Sequence, residues 1–187
     1  MKLVQLYSDK AQVRTKENKN IYLDLCQALR SEYDYGLLNA DYFHAVMNHC
    51  NPAKSTILDL GCGSIDLPDK PSNIPSILTK VYEPWLLRAM NKLGADCVGI
   101  DIGDLTNEPF EEGYNIDLSK KDALIDFPKN SIDMVCAFSL FDSPTFNETL
   151  SGTKESRFYH ITNQLEDIVK PDGVFIYESV GTPYYNK

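Results

Sequence analysis

The sequence predicts an α/β fold: a doubly wound, mostly parallel sheet with helices on both faces. Short apolar runs recur along the chain, and several are hydrophobic on both faces, as in strands that are covered on each side. They alternate with longer segments whose apolar residues return at helical spacing, which favours parallel strands joined by crossover helices. We expect one domain over residues 1–187, with an N-terminal helical cap at 1–52 and a core at 53–187.

The N-terminal part is predicted to be mainly helical. Residues 1–15 are ambiguous, because their apolar side chains suit either a short edge strand or a segment that covers the body. Helical spacing predicts one helix at about residues 16–29 and a second one from Tyr42 to Cys50, which Pro52 ends. The aromatic residues of this part are expected to pack the layer, and the alternative is an aromatic wall for a substrate.

The first strand of the core is predicted at residues 55–60, directly before the turn Gly61-Cys62-Gly63. A proline-dense stretch at 64–75 is unsuited to a helix. Helical spacing returns at about residues 77–93.

The rest of the chain supplies the other strands of the sheet. They are predicted at residues 95–101, 114–118, 131–140 and 174–178. A helix is predicted at residues 155–169, and Lys170-Pro171-Asp172-Gly173 is predicted to be a turn because Pro-Asp-Gly is strong turn chemistry. Asp133, at the start of its strand, is expected to be a structural anchor.

Small and polar residues gather at the predicted carboxyl ends of these strands, where open α/β sheets bind their ligands. They are Asp59, Gly61, Gly63, Asp101, Asp117, Phe138 and Ser139. Two glycines permit a sharp turn and the close approach of a ligand to the backbone. A carboxylate such as Asp101 can accept hydrogen bonds from both ribose hydroxyls.

A dinucleotide is disfavoured as that ligand. The third glycine of the phosphate-binding pattern G-x-G-x-x-G is absent after Gly63, and Asp66 adds negative charge where phosphates would lie. Asp101 also follows the glycine turn at much more than the usual spacing of about 20 residues.

Composition excludes several other classes of function. The net charge is −9 and no Lys/Arg cluster occurs, so nucleic acid is not expected as a partner. Five cysteines without a C-x-x-C pair indicate free thiols in a reducing cytoplasm, and the histidine spacing predicts no metal site. Without a signal peptide or a long apolar run, we expect a cytoplasmic protein with no membrane association.

Five segments of the chain resemble the class I S-adenosylmethionine-dependent methyltransferases, which have a Rossmann-like fold. Ile57-Leu58-Asp59-Leu60-Gly61-Cys62-Gly63 is similar to the first motif of the family, and Val98-Gly99-Ile100-Asp101 to the second. Ile116-Asp117-Leu118 resembles the segment that contacts adenine. Residues 131–135 are similar to the fourth strand, and residues 165–174 to the turn into the fifth. The segments occur in the order of the family and cover about two-thirds of the chain.

The resemblance implies a methyltransferase with S-adenosyl-L-methionine as its cofactor. The implied cofactor-binding residues are Asp59, Gly61, Cys62, Gly63, Asp101, Ile102, Asp117, Leu118, Phe138 and Ser139. Asp59 would face the ammonium group of the cofactor, Asp101 the ribose and Asp117 the adenine amino group. Phe138 and Ser139 would line the pocket near the sulfonium. No catalytic residue is assigned.

The chain departs from the family after its last predicted strand, because the C-terminal strands are missing or reduced there. Only residues 179–187 follow, which suggests a truncated chain, a minimal variant or an acceptor side built by a protein partner. The methyl acceptor is not identified, and a small molecule is expected. The alternative is a non-catalytic S-adenosylmethionine-binding or regulatory partner domain of the same fold.

Overall fold

A computed structural model describes residues 1–7, 13–33, 38–64, 83–138 and 140–178. Within these ranges one sheet of six strands has the order β1-β6-β5-β2-β3-β4, and every neighbouring pair is parallel. The strands are β1 (Lys2–Gln5), β2 (Thr56–Leu60), β3 (Asp96–Asp101), β4 (Glu112–Asn115), β5 (Ile132–Ala137) and β6 (Val169–Tyr177). The predicted doubly wound, parallel α/β sheet is confirmed.

The described helices cover both faces of the sheet, as predicted. They are α1 (Lys16–Tyr33), α2 (Ala40–Met47), α3 (Trp85–Lys92), α4 (Pro144–Thr149) and α5 (Lys154–Leu165). Side chains of α1, α2 and α3 form one core with Ile57 of β2. Side chains of α4 and α5 form the second core with Leu58, which follows Ile57 and points to the opposite face of the sheet. Both cores therefore meet at β2, in the middle of the sheet.

The N-terminal residues form the edge strand that was one of the two alternatives. Lys2 to Gln5 pair in register with Val174 to Tyr177 of β6, and the Leu6 amide donates to the Tyr177 carbonyl at 2.8 Å. Residues 1–52 thus contribute a strand to the sheet in addition to helices. The expectation of missing or reduced C-terminal strands concerns residues 179–187, which lie outside the described residues.

The third predicted core strand was placed too late in the chain. The structure has β4 at Glu112–Asn115, with all four residues exposed, whereas the prediction was 114–118. Leu118, which made residues 114–118 look like a strand, follows the end of β4 and packs into the core formed with α5. No helix lies in the connection at residues 102–111, where buried Leu105 and Phe110 cover the sheet instead.

The prediction that a turn at residues 170–173 precedes the last strand is wrong. These residues belong to β6, where they form an irregularity in the pairing with β5. β5 advances from Ile132 to Met134 while β6 advances from Val169 to Val174. The turn chemistry of Pro-Asp-Gly is real, but it makes a bulge within a strand because pairing resumes on the same neighbour.

The predicted helix at 77–93 is observed in its C-terminal half, as α3, and residues 65–82 lie outside the described residues. The helix at 155–169 is observed as α5, which ends earlier, at Leu165. Most of the proline-dense stretch at 64–75 falls in the undescribed range.

Asp133 is the structural anchor that the sequence predicts. Its Oδ2 accepts from the Thr56 amide at 2.9 Å, and its Oδ1 accepts from Lys170 Nζ at 2.7 Å. One carboxylate therefore ties the start of β2 to the bulge of β6 across the strand between them.

We expect Asp133→Ala to lower the free energy of unfolding by about 1–3 kcal/mol, because a charge-assisted bond and a backbone partner are lost together. Urea denaturation measures this change. Asp167→Ala is the matched control: Asp167 pairs with Lys129 at the surface, both side chains are 75% exposed, and about 0.5 kcal/mol or less is expected. Equal effects of the two substitutions would contradict the anchoring role.

Candidate functional site

The site is built around the turn that follows β2. Gly61 and Gly63 have φ angles of +68° and +91°, in the left-handed region that side chains disfavour. The Gly61 and Cys62 amides donate to the Ile100 carbonyl at 2.8 and 3.1 Å, which fastens the turn to the end of β3. The glycines are therefore required by the backbone itself, as the sequence predicts.

Asp101, at the end of β3, is held by two backbone amides. Its Oδ2 accepts from Gly63 N and its Oδ1 from Gly103 N, both at 2.9 Å, and the residue is 9% exposed. A carboxylate offers about four lone-pair sites, so each oxygen retains one after these bonds. The arrangement fixes a carboxylate that can still accept two further hydrogen bonds, as a vicinal diol requires.

Asp59 is the second carboxyl group of the site. It is 5% exposed and lies in register with Gly99 on one side and Cys136 on the other. Among the described residues, no hydrogen bond to its side chain is found. Burial, and next the negative charge of Asp101, raise the pKa of Asp59 well above the ordinary aspartate value. A cationic group beside it would favour the ionised form.

Cys62 fills space between the turn and the sheet. A Cβ on Gly99 would lie 3.1 Å from Cys62 Sγ and 2.8 Å from the Phe110 ring, so both side chains occupy the position that this glycine leaves free. The thiol donates to the Gly63 carbonyl at 3.4 Å. Burial raises the pKa of the Cys62 thiol well above its ordinary value, which disfavours a nucleophilic thiolate.

The residues implied to contact adenine lie at the neighbouring strand end, because Asn115 pairs with Asp101. Asp117 Oδ1 accepts from Ser119 Oγ at 2.6 Å and from Ser119 N at 3.0 Å, and these bonds hold the pKa of Asp117 below its ordinary value. Leu118 is buried in the core, and its carbonyl lies 3.1 Å from His160 Nε2. One Asp117 oxygen is thus committed to its own turn.

Ile102 is half-buried between these two strand ends. Its carbonyl accepts from Asn115 Nδ2 at 2.7 Å, which joins the residue after β3 to the last residue of β4. Ile102 is therefore placed beside Asp101, at the edge that the sequence predicts.

Phe138 follows β5, across the point where the strand order reverses around β2. Tyr42 of α2 stacks on its ring with centroids 4.2 Å apart and an interplanar angle of 11°. The Tyr42 hydroxyl donates to Glu178 Oε1 at 2.8 Å. One face of the Phe138 ring is therefore covered by protein. Ser139, the other residue implied near the sulfonium, lies outside the described residues.

The structure thus joins four of the predicted residues by direct contacts or electrostatic coupling: Asp59, Cys62, Gly63 and Asp101. It places Ile102, Asp117 and Leu118 along the same edge, and Phe138 across the switch point.

Sequence reasoning missed two features of the site. One is the Gly103 amide, although the spacing Asp-x-Gly is a known signal for an aspartate that bonds the amide two residues on. The other is the ion pair of Arg88 with Glu108, 20 residues apart, for which no local signal exists.

Two cavities among the described residues lie away from this site. One, of about 600 Å³, separates α5 from the segment at residues 121–129. The other, of about 300 Å³, lies at the amino ends of β2, β3 and β5. Neither is lined by a predicted site residue.

In comparisons with known proteins, no family model matches this chain, and no curated protein matches it.

The described helices include none that is both long and apolar enough to span a bilayer. Within the same residues, no group of three or more His, Cys, Asp or Glu side chains is arranged to hold a metal ion. All five cysteines are free thiols.

Proposed function

We propose that this chain is a methyltransferase that binds S-adenosyl-L-methionine and transfers its methyl group to a small-molecule acceptor. The observation that carries the proposal is the pair of buried carboxyl groups, Asp59 and Asp101, on either side of the glycine turn at the carboxyl edge of the sheet. A ligand with a ribose diol and a cationic group complements this pair.

The same pair disfavours a phosphate-bearing ligand. Phosphates bind where backbone amides converge with no acidic group beside them. Here the Gly63 and Gly103 amides are already bonded to Asp101, and Asp59 lies near the carboxyl end of β2, directly before the turn. The charge of Asp101, together with that of Asp59 once a cation beside it favours its ionised form, therefore favours a cation over an anion.

The residues of the chain would bind the cofactor and orient it for methyl transfer. Asp101 would accept from the ribose hydroxyls, and Asp59 would face the ammonium group. Asp117 Oδ2, which has no hydrogen bond among the described residues, would accept from the adenine amino group. When bound, S-adenosyl-L-methionine supplies an electrophilic methyl group for in-line displacement, and alignment by the protein lowers the barrier.

Isothermal titration calorimetry with S-adenosylhomocysteine tests the binding. We expect a dissociation constant on the order of 1–100 µM, in the range of common cofactor and substrate affinities. NAD and ATP serve as ligands with the same adenosine and added phosphates, and each is expected to bind at least about tenfold more weakly because of the carboxyl pair. Absence of S-adenosylhomocysteine binding to the intact chain would overturn the proposal.

Transfer is tested separately, with a methyl-labelled cofactor and a metabolite extract. Labelled product that depends on the protein is the expected result. Binding without any transfer would favour the alternative, a non-catalytic cofactor-binding domain.

A further inference from the structure

A buried ion pair joins α3 to the connection between β3 and β4. Arg88 is 1% exposed, and its Nε and Nη2 donate to the two carboxylate oxygens of Glu108, each at 2.7 Å. The Glu108 side chain is also 1% exposed. Arg88 Nη1 donates to Glu83 Oε2 at 2.5 Å. All three guanidinium nitrogens are therefore bonded to carboxylates.

Two aromatic rings enclose the same guanidinium. Its central carbon lies 4.2 Å from the ring centroid of Tyr33 and 4.5 Å from that of Trp85. Burial by itself lowers the pKa of Arg88, but the hydrogen bonds to Glu108 and Glu83 outweigh it and raise the pKa. The guanidinium is thus charged, in contact with two rings and held in one geometry by its two hydrogen bonds to Glu108.

Stability alone is a poor explanation for this arrangement. The attraction between two buried charges often does not offset the free energy lost when they leave water. Well-packed apolar residues of similar volume often stabilise a fold equally well or better. What a bidentate pair adds is a defined distance and angle between the two elements that it joins.

Arg88 joins α3 to the connection between β3 and β4, and this connection carries the Gly103 amide that orients Asp101. The connection at residues 102–111 has no helix, and its second residue, Gly103, donates the amide that bonds Asp101. α3 contacts it a second time, where Asn91 Nδ2 donates to the Pro109 carbonyl at 3.1 Å. Three hydrogen bonds from one helix, two from Arg88 and one from Asn91, therefore hold the far end of the segment that orients the Asp101 carboxylate.

We propose that the Arg88–Glu108 ion pair positions the ribose-binding carboxylate of Asp101, by holding the β3–β4 connection so that the Gly103 amide stays on Asp101 Oδ1. Arg88 is then a positioning residue, which acts through Glu108 and Gly103 and touches no ligand. The ribose part of this inference rests on the proposed function, whereas the positioning of Asp101 does not.

The main test is the double variant R88M/E108M, which replaces the ion pair by apolar side chains and retains packing volume. The measurement is the ratio of dissociation constants for 2′-deoxy-S-adenosylhomocysteine and S-adenosylhomocysteine. In the native chain we expect a ratio of about 10 or more, because the deoxy ligand loses one hydrogen bond to a charged acceptor. In the folded variant, a ratio of about 3 or less is expected.

The second measurement needs no ligand. Hydrogen exchange of the Gly103 amide is expected to be at least about tenfold faster in R88M/E108M, because its bond to Asp101 is no longer enforced. Exchange of the Gly61 amide, which bonds the Ile100 carbonyl, serves as the internal control and is expected to stay unchanged. If the double variant does not fold, the isosteric E108Q, which breaks the bidentate geometry, replaces it in both measurements.

Lys92→Met is the matched control variant. Lys92 lies on the same helix and pairs with Glu32 at the surface, so its loss should change neither the ratio nor the exchange rate. A native ratio and native Gly103 exchange in a folded R88M/E108M or E108Q would overturn the inference. If the native chain binds no S-adenosylhomocysteine, the proposed function fails, and Gly103 exchange alone decides whether the ion pair positions Asp101.

Discussion

Asp101→Asn is expected to weaken S-adenosylhomocysteine binding by about 100-fold or more, since each hydrogen bond from a ribose hydroxyl to a carboxylate contributes about 1.5–3 kcal/mol. The substitution also affects the backbone. Gly63 N and Gly103 N donate to different Asp101 oxygens, and an amide group presents only one oxygen to them. One backbone amide must then face an NH2 group, so a loss of about 1–3 kcal/mol in the free energy of unfolding is also expected.

Calorimetry measures the affinity, and urea denaturation measures the stability. Asp104→Asn is the control: Asp104 lies three residues further on and is exposed, and its carboxylate accepts from the Thr106 amide and hydroxyl of its own turn. Its effect on the affinity should stay below about threefold. An Asp101→Asn chain that binds S-adenosylhomocysteine as the native chain does would exclude Asp101 from the ligand site.

Asp59→Asn is expected to change stability and binding in opposite directions. The Asp59 carboxyl is buried without a hydrogen bond among the described residues, and its charge must be either desolvated or neutralised by a proton. Asparagine carries no charge, so the free energy of unfolding at neutral and alkaline pH should rise by an amount that grows with pH. Ligand binding should weaken by at least about tenfold, because the ammonium group loses its counter-charge.

The pH dependence of the free energy of unfolding follows from the direction in which the pKa of Asp59 is shifted. A pKa that is higher in the folded chain than in the unfolded one means that the folded chain holds more protons between the two values. The contribution of Asp59 to stability is therefore complete below the unfolded pKa and is lost as the pH rises through the folded pKa. The stability gain of Asp59→Asn should grow with pH over that interval, and it should be smallest at acidic pH.

The affinity for a cationic ligand should depend on pH through the same ionisation of Asp59. The ligand favours ionised Asp59, so a proton is released on binding and the affinity rises as the pH increases toward the folded pKa of Asp59. Titrations in two buffers of different ionisation enthalpy should give different heats for the native chain and equal heats for Asp59→Asn. A substitution that lowers both stability and binding would instead identify Asp59 as a purely structural residue.

Local patterns were sufficient to predict the central part of the site. β2, the glycine turn and the acid at the end of β3 follow from apolar runs and from residue types that turns require, and the structure joins them through the bond of Gly63 N to Asp101. The start of β6 was not predictable in this way. Pro-Asp-Gly specifies a reversal of the chain, but whether pairing resumes on the same strand depends on β5, which is distant in sequence.

The chain's own sequence determined the class of sheet and the strands that carry the acids, because periodicity and glycine conformation are local properties. Only the tertiary structure decided that Tyr42 covers a face of Phe138 and that Arg88 is bonded to Glu108. Both contacts join elements far apart in the chain, so their partners are selected by packing geometry rather than by neighbouring residues. The same geometry brings Asp59 and Asp101 to neighbouring strand ends, where the charge of Asp101 helps to raise the pKa of Asp59.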